Sequence, residues 1–215
     1  MRYRIMIMCL ALIGAPVASA QPTATAPAQS TPKGALRVLA AASEAGDPEL
    51  IKGVLLFSTP METRMAGAMA DFASAMVKVR IAAKAEFGAE GAKALIGDPG
   101  VSAEDGRRRI DAARETIDGD TARVTEEGGH TIVLTQVDGK WKIPMKEVAA
   151  GAPANEVQKN VELMEAEAKL VRQLALEITA KKYKTAEEAR QELEQRLKAA
   201  TSQPAEAEAP ATTRP

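Results

Sequence analysis

Few side chains in this sequence could carry chemistry, and their types bound what that chemistry could be. The 215 residues hold one histidine, one cysteine, two tyrosines and one tryptophan. His130 follows Gly128-Gly129, with Glu126 and Glu127 just ahead of the turn, so a carboxylate could orient an imidazole base there. A solvated, turn-flanking histidine is the plainer account, because nothing nearby marks a cavity. Arg107-Arg108-Arg109 offer forked donors to a phosphate or an acidic partner. Three arginines at a helix end also complement its dipole, which is the plainer reading.

Met61, Met65 and Met69 lie one helical turn apart, with Met76 further along the same face. Exported proteins use thioethers for Cu(I), but here the methionines interleave with Phe72, Val79 and Phe87, the make-up of a core-facing stripe. The stripe could instead line an adaptable apolar pocket for a small ligand, with Met69, Phe72 and Met76 facing Trp141. Asp118 and Asp120 read as turn residues, since no loop with a full set of calcium ligands follows. No phosphate-binding glycine loop, nucleophile elbow or zinc-helix motif occurs, and no cofactor or metal is expected.

The first 20 residues combine Arg2 and Arg4, an apolar run over residues 5–13 and Ala18-Ser19-Ala20, the pattern of a secretory signal peptide. The run is too short to span a membrane, so the expected product is exported, periplasmic or secreted, with no membrane anchor after cleavage. Cys9 lies inside that segment, and its removal leaves no thiol for catalysis, disulfides or metal. Taking Arg2 and Arg4 from 28 basic residues leaves 26 against 29 acidic ones, a net charge of −3. A general nucleic-acid binder is therefore not expected.

Positioning elements follow from periodicity. Residues 21–33 and 202–215, built from Pro, Ala, Thr, Gln, Ser and Glu, cannot bury enough apolar surface to offset their ordering entropy and read as a disordered leader and tail. Over 34–150 the pattern is α+β. Leu36, Val38, Leu39 and Ala42 suggest a helix ending near Gly46; Asp47-Pro48 then starts a second, running to about Phe57. Thr59-Pro60-Met61-Glu62 is a capping box, and the apolar stripe behind it predicts one long helix over 60–87. Ser102-Ala103-Glu104-Asp105 opens another that should end before Ala113. The period then shortens to two, and Asp118-Gly119, Gly128-Gly129 and Asp138-Gly139 divide a four-stranded antiparallel meander. In its last strand Trp141, Ile143 and Met145 share the buried face, and Pro144 suggests an edge position. Asn155 and Gln158 could cap a long C-terminal helix over 156–183 with a regular seam of Val157, Val161, Met164, Ala168, Val171, Ala175 and Ile178. Thr185-Ala186-Glu187-Glu188 opens a last helix, so 154–201 reads as a helical extension.

This order resembles the nuclear transport factor 2-like (cystatin-like, SnoaL-like) superfamily over about 34–148. The residues that carry it are Ala45-Gly46-Asp47 before the second helix, Glu86-Phe87-Gly88 closing the long one, and the strands Ile117-Asp118-Gly119-Asp120-Thr121-Ala122-Arg123-Val124 and Val137-Asp138-Gly139-Lys140-Trp141-Lys142-Ile143. The resemblance implies N-terminal helices packed on a curved, cone-like antiparallel sheet. The superfamily includes isomerases, dehydratases, cyclases and non-catalytic binding modules, so fold does not choose among them. Its catalytic members use a carboxylate base with a tyrosine and a neutral acid, or a His/Asp pair. Tyr183 lies beyond the resembling region and His130 stands at a turn, so no catalytic residue carries over.

The expected role is an exported, non-enzymatic binding or protein-interaction module; the alternative is a small isomerase- or cyclase-type enzyme acting on an apolar ligand in the cone. The long C-terminal helix could meet a protein partner or a second copy, or pack along the equally long helix over 60–87, where Ala68, Ala75 and Ala83 permit close approach. Cleavage is expected between Ala20 and Gln21, the one small-residue pair following the apolar run. Intact-mass analysis of the exported protein checks this, and a mass retaining residues 1–20 would make the segment an anchor.

Overall fold

The computed structural model describes residues 29–97 and 102–202. The expected signal segment, most of the leader and all but the first residue of the tail lie outside them. Helix α1 (Pro32–Ala45) begins where Thr31 accepts a hydrogen bond from Gly34 N at 3.0 Å, with proline at the first helical position. The leader expected through residue 33 therefore stops earlier, because Thr-Pro is itself a helix start. Gly46 ends α1 in the left-handed region at φ 67°, and a Cβ there would lie 3.0 Å from Val77 Cβ. Only glycine meets both demands.

Asp47 caps α2 (Pro48–Val54) by accepting from Glu49 N and Leu50 N. The helix expected to reach Phe57 gives way at Leu55 to a two-residue strand, β1 (Leu55–Leu56). So short a strand has no period to read, and only its neighbour holds it extended. The Thr59/Glu62 capping box then opens α3 (Pro60–Ile96) with both of its reciprocal bonds made. Gly88, at φ 74° and ψ −177°, breaks α3 where its helix was expected to end, and the chain resumes helix beyond it. Helix α4 (Ala103–Ala112) is capped by Ser102, whose Oγ accepts from Asp105 N at 3.0 Å.

Strands β2 (Arg114–Asp118), β3 (Thr121–Thr125), β4 (Thr131–Val137) and β5 (Lys140–Pro144) form the expected antiparallel meander. Asp138 and Gly139, both at positive φ, make the two-residue turn between β4 and β5. β1 adds to β5 in parallel, giving a curved, open, mixed five-stranded sheet in the order β1-β5-β4-β3-β2. The expectation that Pro144 marks an edge is thus corrected. Pro144 is the last residue of β5, paired with Leu56 where β1 also ends, so its missing N–H interrupts no continuing ladder. The start of β5 is covered as well, with Trp141 N donating to Gln29 O at 2.8 Å.

Met145 opens the short helix α5 (Met145–Val148), after which α6 (Ala154–Thr179) and α7 (Ala186–Ser202) complete the chain. Among the described residues there are seven helices and five strands. Asn155 and Gln158 do not cap α6; the cap position is Pro153, without a side-chain bond, and Gln158 bonds Glu162 one turn on. α6 also stops before Tyr183, because Lys181 turns the chain at φ 57°.

The sheet's inner face is Ala122, Val124, Leu134, Trp141 and Ile143, all buried. The helices lying against it are α1, on β3 and β5, and α2, on β5; α3 packs on α1 and α2 from below. Trp141 lies on the sheet face that α1 and α2 cover, in one apolar cluster with both helices and with Met65 and Ala66 of α3. α3 in turn is flanked for most of its length by α6. Their contacts rise together along both chains, from Arg64 with Glu165 at 2.7 Å to Asp71 with Arg172 at 3.8 Å, so the two helices run parallel. One apolar cluster joins the sheet, α1 and α2 to Met65, Ala66, Val161 and Met164; a second joins Ala75, Val79 and Ala83 to Val171, Leu174, Ile178 and α7. Of the two placements open to the C-terminal helix, the chain adopts intramolecular packing along α3.

Trp141 is 3% exposed in the first cluster. Trp141→Ala should cost about 3 to 5 kcal/mol, the range for deleting a large aromatic from a core. Denaturant unfolding measures it, and an unchanged midpoint would mean that the ring contributes no packing.

Candidate functional site

The cleft that gathers titratable groups lies where α4 meets the β3–β4 turn. α4 turns Gly106 and Ile110, four residues apart, into the protein and leaves its polar side to solvent. The facing turn is closed by Glu126 N donating to His130 O and Gly129 N donating to Glu126 O, both at 2.9 Å, with Gly129 at φ 79°. The threonine hydroxyls of Thr125 and Thr131 meet across the strand ends at 2.9 Å. Between helix and turn is an open cleft of about 520 Å³, lined by Asp105, Arg108, Arg109 and Ala112 on one side and Glu126, Glu127 and Gly128 on the other.

The arginine triplet is the centre of this surface, and each guanidinium has its own carboxylate. Arg107 reaches Glu44 of α1 at 3.2 Å, Arg108 pairs with Asp105 one turn earlier, and Arg109 pairs with Glu126 of the turn. The Ser102 hydroxyl donates to Asp105 at 2.7 Å; that bond first, and Arg108 second, hold the Asp105 carboxyl below its usual range. The triplet thus ties α4 to α1 on one side and to the hairpin on the other. His130 is half-buried at the far side of the turn, and among the described residues its ring has no hydrogen-bond or ion-pair partner. Only its carbonyl meets Glu126.

The apolar candidates are packing residues of the two clusters, and Trp141 is a member of the first. Met69 and Phe72 pack against the first cluster, Phe72 and Met76 against the second, and all three are half-buried on α3. Trp141 is buried in that first cluster, on the sheet face that α1 and α2 cover. Met61 and Met65 belong to the same packing, Met65 being 7% exposed. Asp118 closes the β2–β3 hairpin opposite Thr121, with Gly119 and Asp120 as its loop. Among the described residues no group of three or more His, Cys, Asp or Glu could hold a metal, and no helix is long and apolar enough to cross a membrane.

A second polar cluster escaped the sequence reading. Beyond the Lys181 turn, Tyr183 is 8% exposed and its hydroxyl donates to Glu177. Glu177 also accepts from Gln173 Nε2 at 2.9 Å and Arg196 Nη2 at 3.0 Å, with Lys182 Nζ at 3.2 Å. Burial pushes Glu177 upward, but the bonds from Tyr183, Arg196, Gln173 and Lys182 outweigh it and hold the carboxyl at about 2. Burial, reinforced by Glu177, pushes the Tyr183 phenol up to about 12. Perturbed groups accompany functional sites and structural ion networks alike. Here the partners close on one another between α6 and α7, so the network fastens α7 to the bundle. Sequence spacing gives no sign of it, since Arg196 and Glu177 stand 19 residues apart on different helices.

A carboxyl depressed from 4.5 to about 2 adds stability that is complete above pH 4.5 and disappears as pH falls through 2. The gap in thermal midpoint between the wild type and Glu177→Gln should therefore be full at pH 7 and shrink steadily between about pH 4.5 and 2. A gap that stays constant over that range would mean that the carboxylate charge does not hold α7.

Compared with known proteins, the chain matches no protein-family model, no curated protein and no solved structure.

Proposed function

We propose that this is an exported, non-catalytic binding or protein-interaction module on a scaffold of the nuclear transport factor 2-like kind. The observation that carries the reading is the pairing of the arginine triplet. Arg108 and Arg109, which line the α4 cleft, are matched with Asp105 and Glu126, and Arg107 beside them is matched with Glu44. Paired but exposed charges suit a polar protein surface. Arg108 is 70% exposed and its pairing with Asp105 has little intrinsic strength at that exposure, so a partner's polar groups can exchange with it at small cost.

Further support comes from the order of elements, helices first and a curved antiparallel meander after, which is the order behind the resemblance. The interposed α1–α2 layer is a departure from a sheet wrapped on one long helix. The seam of α6 is engaged with α3, which shifts the partner surface we propose from that seam to the α4 cleft. The isomerase-type alternative requires an enclosed apolar cavity with convergent titratable groups, whereas the α4 cleft is open and Met69, Phe72 and Met76 are packing residues.

Titration with an environment-sensitive apolar dye tests the choice. The module reading expects no saturable dye binding and no change in Trp141 emission. One-to-one binding tighter than about 10 µM, weakened by Met69→Gln or Met76→Gln, would overturn it in favour of an apolar ligand site.

A further inference from the structure

The two edges of the sheet are unlike. Natural sheets blunt exposed edges with very short strands, proline, charged side chains or bulges, because a free row of N–H and C=O groups templates pairing with another chain. β1, two residues long, is blunted by length. β2 has five residues, Arg114-Glu115-Thr116-Ile117-Asp118, with no proline or bulge; its charges, Arg114, Glu115 and Asp118, are of both signs, so they repel a strand of one sign but can pair with a second copy, and every β2 residue has its one partner in β3.

Which β2 groups are free follows from parity. Gln136 N donates to Asp120 O and Glu126 N donates to His130 O, so the even-numbered residues along β3 turn their backbone groups toward β4. The odd-numbered residues Thr121, Arg123 and Thr125 therefore bond β2, through Asp118, Thr116 and Arg114. Glu115 and Ile117 point their N–H and C=O outward, with no backbone partner among the described residues. Ile117 is also 53% exposed, a β-branched side chain uncovered on an open edge.

From this edge we infer that the protein self-associates through β2, a second copy adding antiparallel so that two five-stranded sheets become one. The occupant is argued from charge. A twofold axis at Thr116 sets Glu115 against the second copy's Ile117, matching outward-facing groups in four hydrogen bonds. The same register sets Arg114 directly opposite the second copy's Asp118, twice. Neither Arg114 nor Asp118 has an ion-pair partner among the described residues, so this register completes both. Shifting the strands so that Glu115 faces its own copy would oppose like charges, which directly opposite positions disfavour. The two Ile117 side chains become diagonal neighbours across the axis and cover one another. Two five-residue edges make a small interface, in the class of weak, concentration-dependent association.

Sedimentation equilibrium of the full chain over about 1 to 500 µM should show reversible monomer–dimer exchange. Arg114→Asp should raise the dissociation constant by about tenfold or more, and Arg114→Asp combined with Asp118→Arg should restore it. Ile117→Pro should abolish the dimer with helicity and thermal midpoint unchanged, because the N–H it removes bonds nothing within the chain. Thr116 faces its own copy at a non-hydrogen-bonded pair, where Cα atoms stand about 4.5 Å apart, within disulfide range. In a Cys9→Ser background, Thr116→Cys should cross-link on mild oxidation. Asp118→Cys should not, its copy being about 13 Å away along the strand. A monomer throughout the range, a dimer indifferent to Arg114→Asp and Ile117→Pro, or cross-linking at residue 118 in preference to 116 would each overturn the inference.

Discussion

The parallel contact between α3 and α6 is the constraint on which the other elements depend. α3 presents Ala68, Ala75 and Ala83 and α6 presents Ala168 and Ala175, all buried. Small side chains let two helices of this length approach toward the short end of the usual 8 to 10 Å spacing. Val79, Leu174 and Ile178 fill the remaining space, and full burial of such side chains is worth about 1.5 to 3 kcal/mol each. The ion pairs along the seam are exposed: Arg64 is 41% and Glu165 34% accessible. Pairs of that kind contribute at most about 1 kcal/mol. Apolar packing therefore holds the helices together, and the charges select their register and direction.

Parallel direction has a topological cost. α3 ends far from the start of α6, and the chain must travel back along about 40 Å of helix before α6 can begin. That return is made by α4, the four-stranded meander and α5, so the sheet connects the two rods at their N-terminal end as well as forming a layer of its own. α1 and α2 fill the space between sheet and α3. Gly46 records how tight this is, sitting against Val77 with no room for a Cβ.

Charge is organised by the same economy of contacts. Sequence position makes Arg107-Arg108-Arg109 look like a single basic patch. Successive helix residues point about 100° apart, so the three guanidiniums leave α4 in different directions and find separate carboxylates on α1, on α4 itself and on the β3–β4 turn. Glu177 shows the converse: one carboxylate gathers donors from α6, the turn after it and α7. In both places local geometry, not net charge, sets whether an ionisable group is available to a ligand.

What the sequence determined by itself is the set of elements with a repeating signal. The capping box at Thr59 and Glu62, the stop at Gly88, the Ser102 cap and the two-residue turns at Gly119 and Gly139 are local chemistry, complete within a few residues. The alternation of Trp141 and Ile143 likewise named the buried face of β5 without reference to what covers it. Tertiary structure alone decided the rest. β1 is extended only because β5 offers it a ladder, and with it Pro144 moves away from the edge. Trp141 comes to lie under the α1–α2 layer because the meander folds back over those helices. Arg109 finds Glu126 17 residues away, and Arg196, besides its neighbour Glu192, finds Glu177 19 residues away. A period of 3.6 or 2 states which face of an element is apolar, but it carries no information about which other element will cover that face, because burial has no preferred direction.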